Sequence, residues 1–105
     1  MPVNEKRILS MLGLAAKAGN LVSGEFSVEK AVKEHKAFLV IVAGDASDNT
    51  KKNFRNMCTF YQVPMAFCSD KETLGHSVGK MFRACTAVTD EGFAKAILKL
   101  TEPNN

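Results

Sequence analysis

The stretch SGEFSVEKAVK, Ser23 to Lys33, gathers groups suited to binding anions and bases at one helix end. At roughly 100° per residue, Val28, Ala31, Val32 and His35 share one side of the expected helix, and Phe26, Lys30 and Lys33 share the other. Free backbone N–H groups and the positive end of the helix dipole make such an N-terminus attractive to phosphate. An aromatic ring beside basic groups can stack on a nucleobase. The same residues also fit a plainer arrangement, with Phe26 turned into a neighbouring loop and the two lysines simply solvated.

A second segment of interest is GKMFRAC, Gly79 to Cys85. Met81 and Phe82 follow a helix-ending glycine and precede Arg83, so two bulky apolar side chains stand beside a cation at a loop. That combination suits packing on splayed bases, and it equally suits the start of a buried strand.

Signals for catalysis are weak. No G-x-G-x-x-G follows a strand, and Gly79-Lys80 leads into Met81 instead of Ser or Thr, so neither dinucleotide nor P-loop chemistry is indicated. Asp45 and Asp48 follow an apolar run, where α/β folds often place ligands. An acidic metal or acid/base site is one reading of this pair; turn and cap residues are the better one, with no His or third carboxylate nearby. Cys58, Cys68 and Cys85 form no Cys-x-x-Cys pair, and His35 and His76 have no metal-ligand spacing, so no metal and no cofactor is expected. The cysteines read as small buried hydrophobes in a reducing compartment. With no secretory signal and no apolar run near the roughly 20 residues of a membrane span, a cytoplasmic protein is expected.

The 105 residues, 46% of them hydrophobic, suit one domain over residues 1–105 with its own core. A net charge of +3 permits nucleic acid as a partner without demanding it, and the charges are interspersed, with no polybasic tail.

These segments need elements to position them. Asn4 can cap a first helix carrying Ile8, Met11, Leu12 and Ala15, and Gly19 supplies its left-handed stop. A short strand at Leu21 and Val22 precedes the Ser23 to His35 helix. Ala37 to Ala43, AFLVIVA, reads as a strand covered on both faces. Ser47 or Asp48 caps a helix with Phe54, Met57, Cys58 and Tyr61 inward, and Val63 to Cys68 forms a strand. Ser69 and Glu72 form a capping-box pattern for a short helix bearing Leu74 and Val78, closed by Gly79. Arg83 to Thr89 is a fourth strand, and Thr89 or Asp90 caps a last helix with Phe93, Ile97 and Leu100 on one face before TEPNN frays. This alternation predicts an α/β protein, a three-layer α/β/α sandwich with a mixed sheet.

Through LGLAAKAGNLVSGEFSVEKAVK, LVIVAGDASDNTKK, FYQVP, TLGHSVGK and AVTDEGFAKAI, nearly its whole length, the chain resembles the YlxQ-like bacterial branch of the ribosomal protein L-seven-Ae superfamily. The resemblance implies an L-thirty-e-like sandwich that binds RNA kink-turns or related internal loops. It also implies that the N-terminus of the second helix and the loop before the last strand grip the RNA together. On this reading the contact residues are Gly24, Glu25, Phe26, Lys30, Lys33, Met81, Phe82 and Arg83. Gly24 and Lys30 match the superfamily's glycine and lysine, the first permitting close backbone approach and the second reaching a base edge or phosphate. Archaeal and eukaryotic kink-turn binders carry an Asn-Glu pair where this chain has Phe26 and Ser27, so the groups that read the tandem G·A pairs are absent. The expectation is a non-catalytic binder of structured RNA in a ribosomal or ribosome-associated setting, ribosomal RNA included, requiring no membrane, metal or second subunit. Two rival readings stand beside it. One is a small-molecule or nucleotide-handling enzyme using the Asp45 to Asn49 loop; the other is a protein-interaction module using Phe26 and Phe82.

Overall fold

The computed structural model describes residues 4–101, so the frayed end expected beyond Thr101 lies outside the described residues. The elements run α1 (Glu5–Lys17), β1 (Leu21–Ser23), α2 (Glu25–Lys33), β2 (Leu39–Val42), α3 (Asp48–Tyr61), β3 (Met65–Phe67), α4 (Lys71–Ser77), β4 (Cys85–Val88) and α5 (Glu91–Leu100). The sheet has the order β1-β4-β2-β3, with β4 antiparallel to both neighbours and β2 parallel to β3.

The apolar run of β2 explains the layering. Alternate side chains of a strand point to opposite faces, so a strand covered on both sides needs no polar alternation. Leu39 and Ile41 pack with Ile8 and Leu12 of α1, Leu74 of α4 and Ile97 of α5. Val40 and Val42 pack with Val28 and Val32 of α2 and with Phe54 and Cys58 of α3. The result is the expected mixed-sheet α/β/α sandwich. Each fully buried Val, Leu or Ile contributes about 1.5–3 kcal/mol relative to exposure, so these facing rows fix which side of each helix turns inward. Among the described residues no helix is long and apolar enough to cross a membrane.

Several ends differ from expectation. Helix α2 stops at Lys33 because His35 takes a left-handed conformation, φ 60°, while the N–H of Lys36 donates to Ala31 O and that of His35 to Val32 O. This is a Schellman closure with histidine in the usual glycine place, and it leaves His35 exposed, with its ring edge against Tyr61, instead of on the inner face. Gln62 plays the same part after α3, at φ 59°, whereas Gly19 and Gly79 do so after α1 and α4 as expected. Asp70, not Ser69, caps α4: its Oδ1 accepts from the Thr73 N–H at 2.7 Å. Asn4 stands at the α1 N-cap position without a side-chain cap bond, and its Nδ2 donates to Leu100 O at 3.3 Å instead. On α5 Ile97 is buried, while Phe93 and Leu100 are half-buried.

The register decides where the loops gather. Val42 pairs with Cys85 on one side and Phe67 on the other, and Ser23 pairs with Thr86. The C-terminal ends of β1, β2 and β3 and the start of β4 therefore share one end of the sheet. Both segments singled out for binding chemistry sit there.

Candidate functional site

The turn from β1 into α2 is built on Gly24, whose φ of 91° and ψ of 151° belong to a region essentially reserved for glycine. A Cβ here would meet only Arg83 side-chain atoms, at 3.9 Å, so backbone conformation and not crowding makes the glycine necessary. Its own N–H is occupied, donating to Cys85 O at 3.0 Å. The open donors at this helix end are instead the first-turn N–H groups of Glu25, Phe26 and Ser27, which meet no acceptor among the described residues.

Arg83 joins the two segments. Its Nε donates to Ser23 Oγ at 3.0 Å and its Nη1 to Phe82 O at 2.8 Å, laying the guanidinium beside the Gly24 turn. Two N–H bonds fix the group in place, and among the described residues no carboxylate forms an ion pair with it. Phe26, two residues beyond Gly24, is 82% exposed, and Met81 and Phe82, just before Arg83, are 73% and 58% exposed. Three large apolar side chains in water next to a fixed cation form a surface that is unusual for a solvated loop.

On the outer side of α2, Phe26 and Lys30 are one turn apart and line the same shallow depressions. Lys30 is exposed and has no ion-pair partner among the described residues. Lys33 differs, since its Nζ meets Glu29 Oε2 at 2.7 Å. That bond, with the charge of Glu29, raises the Lys33 pKa above its ordinary value. Of the three expected cations, Lys33 is paired, while Lys30 and Arg83 have no ion-pair partner among the described residues. Glu25 is held from α3: Ser47 Oγ donates to Thr50 Oγ1, which donates to Glu25 Oε1, each at 3.0 Å.

Several supporting residues carry no local sequence signal. Gly75 of α4 lies under the loop holding Met81 and Phe82; a Cβ there would stand 2.6 Å from Met81 O and 3.0 Å from Phe82 Cα. Lys71 accepts the Arg83 N–H on its carbonyl at 3.0 Å, and its own N–H donates to Asp45 Oδ1 at 2.9 Å. Asp45 thus anchors the helix against which the Met81–Arg83 loop rests, the capping role that its position after β2 suggests. Ser47 caps α3, accepting from the Thr50 N–H at 3.1 Å. The Asp45 to Asn49 loop is therefore explained by helix capping. Among the described residues no group of three or more His, Cys, Asp or Glu side chains converges. The three cysteines are free and buried, and burial pushes the thiols of Cys58 and Cys68 up to about 11 and that of Cys85 to about 12.

With this geometry in view, the sequence matches the profile of the ribosomal protein L7Ae/L30e/S12e/Gadd45 family over residues 6–98. The chain belongs to that family. It is 41% identical to RNA-binding protein YlxQ of Bacillus subtilis (strain 168), over 88% of this chain and 92% of that protein. It is 34% identical to RNA-binding protein YlxQ of Enterococcus faecium, over 94% and 95%. Among solved structures, a protein of unknown function from Bacillus halodurans superposes with a TM-score of 0.87 at 39% identity, covering 90% of this chain and 96% of that one. The 15.5kD RNA binding protein of Giardia lamblia shares the fold, with a TM-score of 0.79 at 21% identity over 91% and 82%.

Proposed function

We propose that this chain is a non-catalytic RNA-binding protein whose residues 1–105 act as one domain, holding structured RNA such as a kink-turn or internal loop against the end of the sheet. The observation that carries the reading is the Arg83 junction, which sets a cation without an ion-pair partner among the described residues, and exposed Phe82, beside the open N-terminus of α2. Relatives named as RNA-binding proteins support it. Arg83 and Lys30 meet phosphates, the first-turn N–H groups of α2 approach the backbone, and Phe26, Met81 and Phe82 pack on unstacked bases. Glu25 faces the RNA from its hold on Thr50, and Lys33 contributes little while Glu29 holds it. A cytoplasmic, ribosome-associated setting with ribosomal RNA as partner fits a family of ribosomal proteins and three free thiols.

The test of the kink-turn reading lies at Phe26 and Ser27. A ring stacks on any base, whereas amide and carboxylate groups read particular edges. Titration against a kink-turn and a copy with disrupted G·A pairs should show less than about tenfold preference, or 1.4 kcal/mol. Phe26→Asn/Ser27→Glu should raise that preference. Failure to bind either RNA more tightly than an unstructured strand would remove the structured-RNA reading. A strong wild-type preference for intact G·A pairs would show that other residues read them.

A further inference from the structure

A groove of about 750 Å³ runs between α1 and α5, on the face of the sheet opposite α2 and α3. Lys6 and Arg7 of α1 and Lys95 and Lys99 of α5 line it, and among the described residues no carboxylate does. Its apolar floor includes Met11 and Leu100, both half-buried. Four positive side chains converge here in a chain whose net charge is only +3. Lys95 leans 3.5 Å from Glu91, but both groups are largely exposed and such pairs are weak.

The placement of Lys6 and Arg7 is informative. They stand in the first turn of α1, where a cation opposes the helix dipole, and neither has an ion-pair partner among the described residues. Helix stability gives no reason for them. An anionic partner does, and the apolar floor narrows its class. A nucleic-acid backbone would satisfy the rim and leave Met11 and Leu100 uncovered. A helix with acidic residues on its flanks and apolar residues on one face satisfies both.

We propose that the α1/α5 groove docks an acidic amphipathic helix of a protein partner. The site lies in the helical layer opposite α2, so a partner bound here leaves the Gly24–Arg83 surface open.

The probe is a capped peptide of about 15 residues, with leucine at helical spacing on one face and glutamate elsewhere, added to isotope-labelled protein. Saturable amide shifts should concentrate at Lys6, Arg7, Met11, Lys95, Lys99 and Leu100, and weaken as salt rises. Lys6→Glu/Arg7→Glu should lower the affinity at least about tenfold. Both residues are exposed and glutamate suits a helix N-terminus, so the variant should keep its fold, which the same spectrum checks. Absence of saturable shifts, equal binding of a scrambled peptide, or full affinity in the variant would overturn the proposal. Saturable shifts at these residues from duplex or single-stranded RNA, with none from the peptide, would overturn it too, marking a phosphate-binding face.

Discussion

Arg83 reaches across the end of the sheet to Ser23, donating its Nε–H to Ser23 Oγ at 3.0 Å and tying together segments 60 residues apart. The contact fixes the direction of the guanidinium before any ligand arrives, and a ligand that uses it need not order a flexible side chain.

The two partners of this bond should therefore fail differently. Arg83→Ala removes a charge, so RNA affinity should fall and the slope of log K against log salt should shrink by roughly 0.7–0.9, the share of one phosphate. Ser23→Ala keeps the charge and loses only its orientation. Its affinity should drop by less, with the salt slope unchanged. Titrations of wild type and both variants at several salt concentrations measure this; equal slopes for wild type and Arg83→Ala would place Arg83 off the interface.

Gly75 supports the same surface from below. A Cβ 2.6 Å from Met81 O meets backbone, which cannot move aside as a flexible side chain can. Gly75→Ala should displace the Met81–Arg83 loop and lower stability by about 1–3 kcal/mol, the usual range for overpacking. RNA affinity should fall even where the protein remains folded. Urea unfolding and binding measured on the same sample separate the two effects. A variant with wild-type affinity would show that the loop is not positioned by this contact.

The sequence showed the fold more clearly than its joints. AFLVIVA marks the central strand because burial on both faces removes polar alternation, and Gly19 and Gly79 mark helix ends because their left-handed conformations suit glycine. His35 and Gln62 do the same work without a glycine, so continuing the helical wheel to His35 put it on the wrong side. The shift from Ser69 to Asp70 as cap is one residue between two good capping side chains. At the site, residue type was enough to single out Gly24, Phe26 and Arg83. Gly75, Lys71 and Thr50 act through contacts between distant segments, and no local pattern encodes those.

The buried thiols make stability fall at high pH. Folded-state values of about 11 for Cys58 and Cys68 and about 12 for Cys85 lie above the ordinary value of 9.0 because burial disfavours the thiolate. From about pH 9 upward the unfolded chain loses these protons first, so it binds fewer protons than the folded chain and unfolding becomes easier as pH rises toward 11. The contribution is fully present below pH 9. Cys85→Ala should flatten the decline over that window, whatever it does to stability at pH 7. Denaturant midpoints from pH 7 to about 10.5 test this, and parallel curves for the two proteins would exclude Cys85 as a source of the decline.

Lys30 and Lys33 lie on the same side of α2, yet their charges are not equivalent. Lys33 is committed to Glu29 at 2.7 Å, and a phosphate must compete with that carboxylate or accept its repulsion. Lys30 has no such partner among the described residues. Lys30→Ala should weaken RNA binding and flatten the salt slope by roughly one phosphate's share, 0.7–0.9. Lys33→Ala should change both much less, because Lys33 is already engaged by Glu29 and meets no phosphate. Glu29→Gln supplies the decisive contrast: releasing Lys33 should strengthen binding and steepen the slope. If Glu29→Gln binds like wild type while Lys33→Ala matches Lys30→Ala, Lys33 already meets the RNA and the ion pair opens on binding.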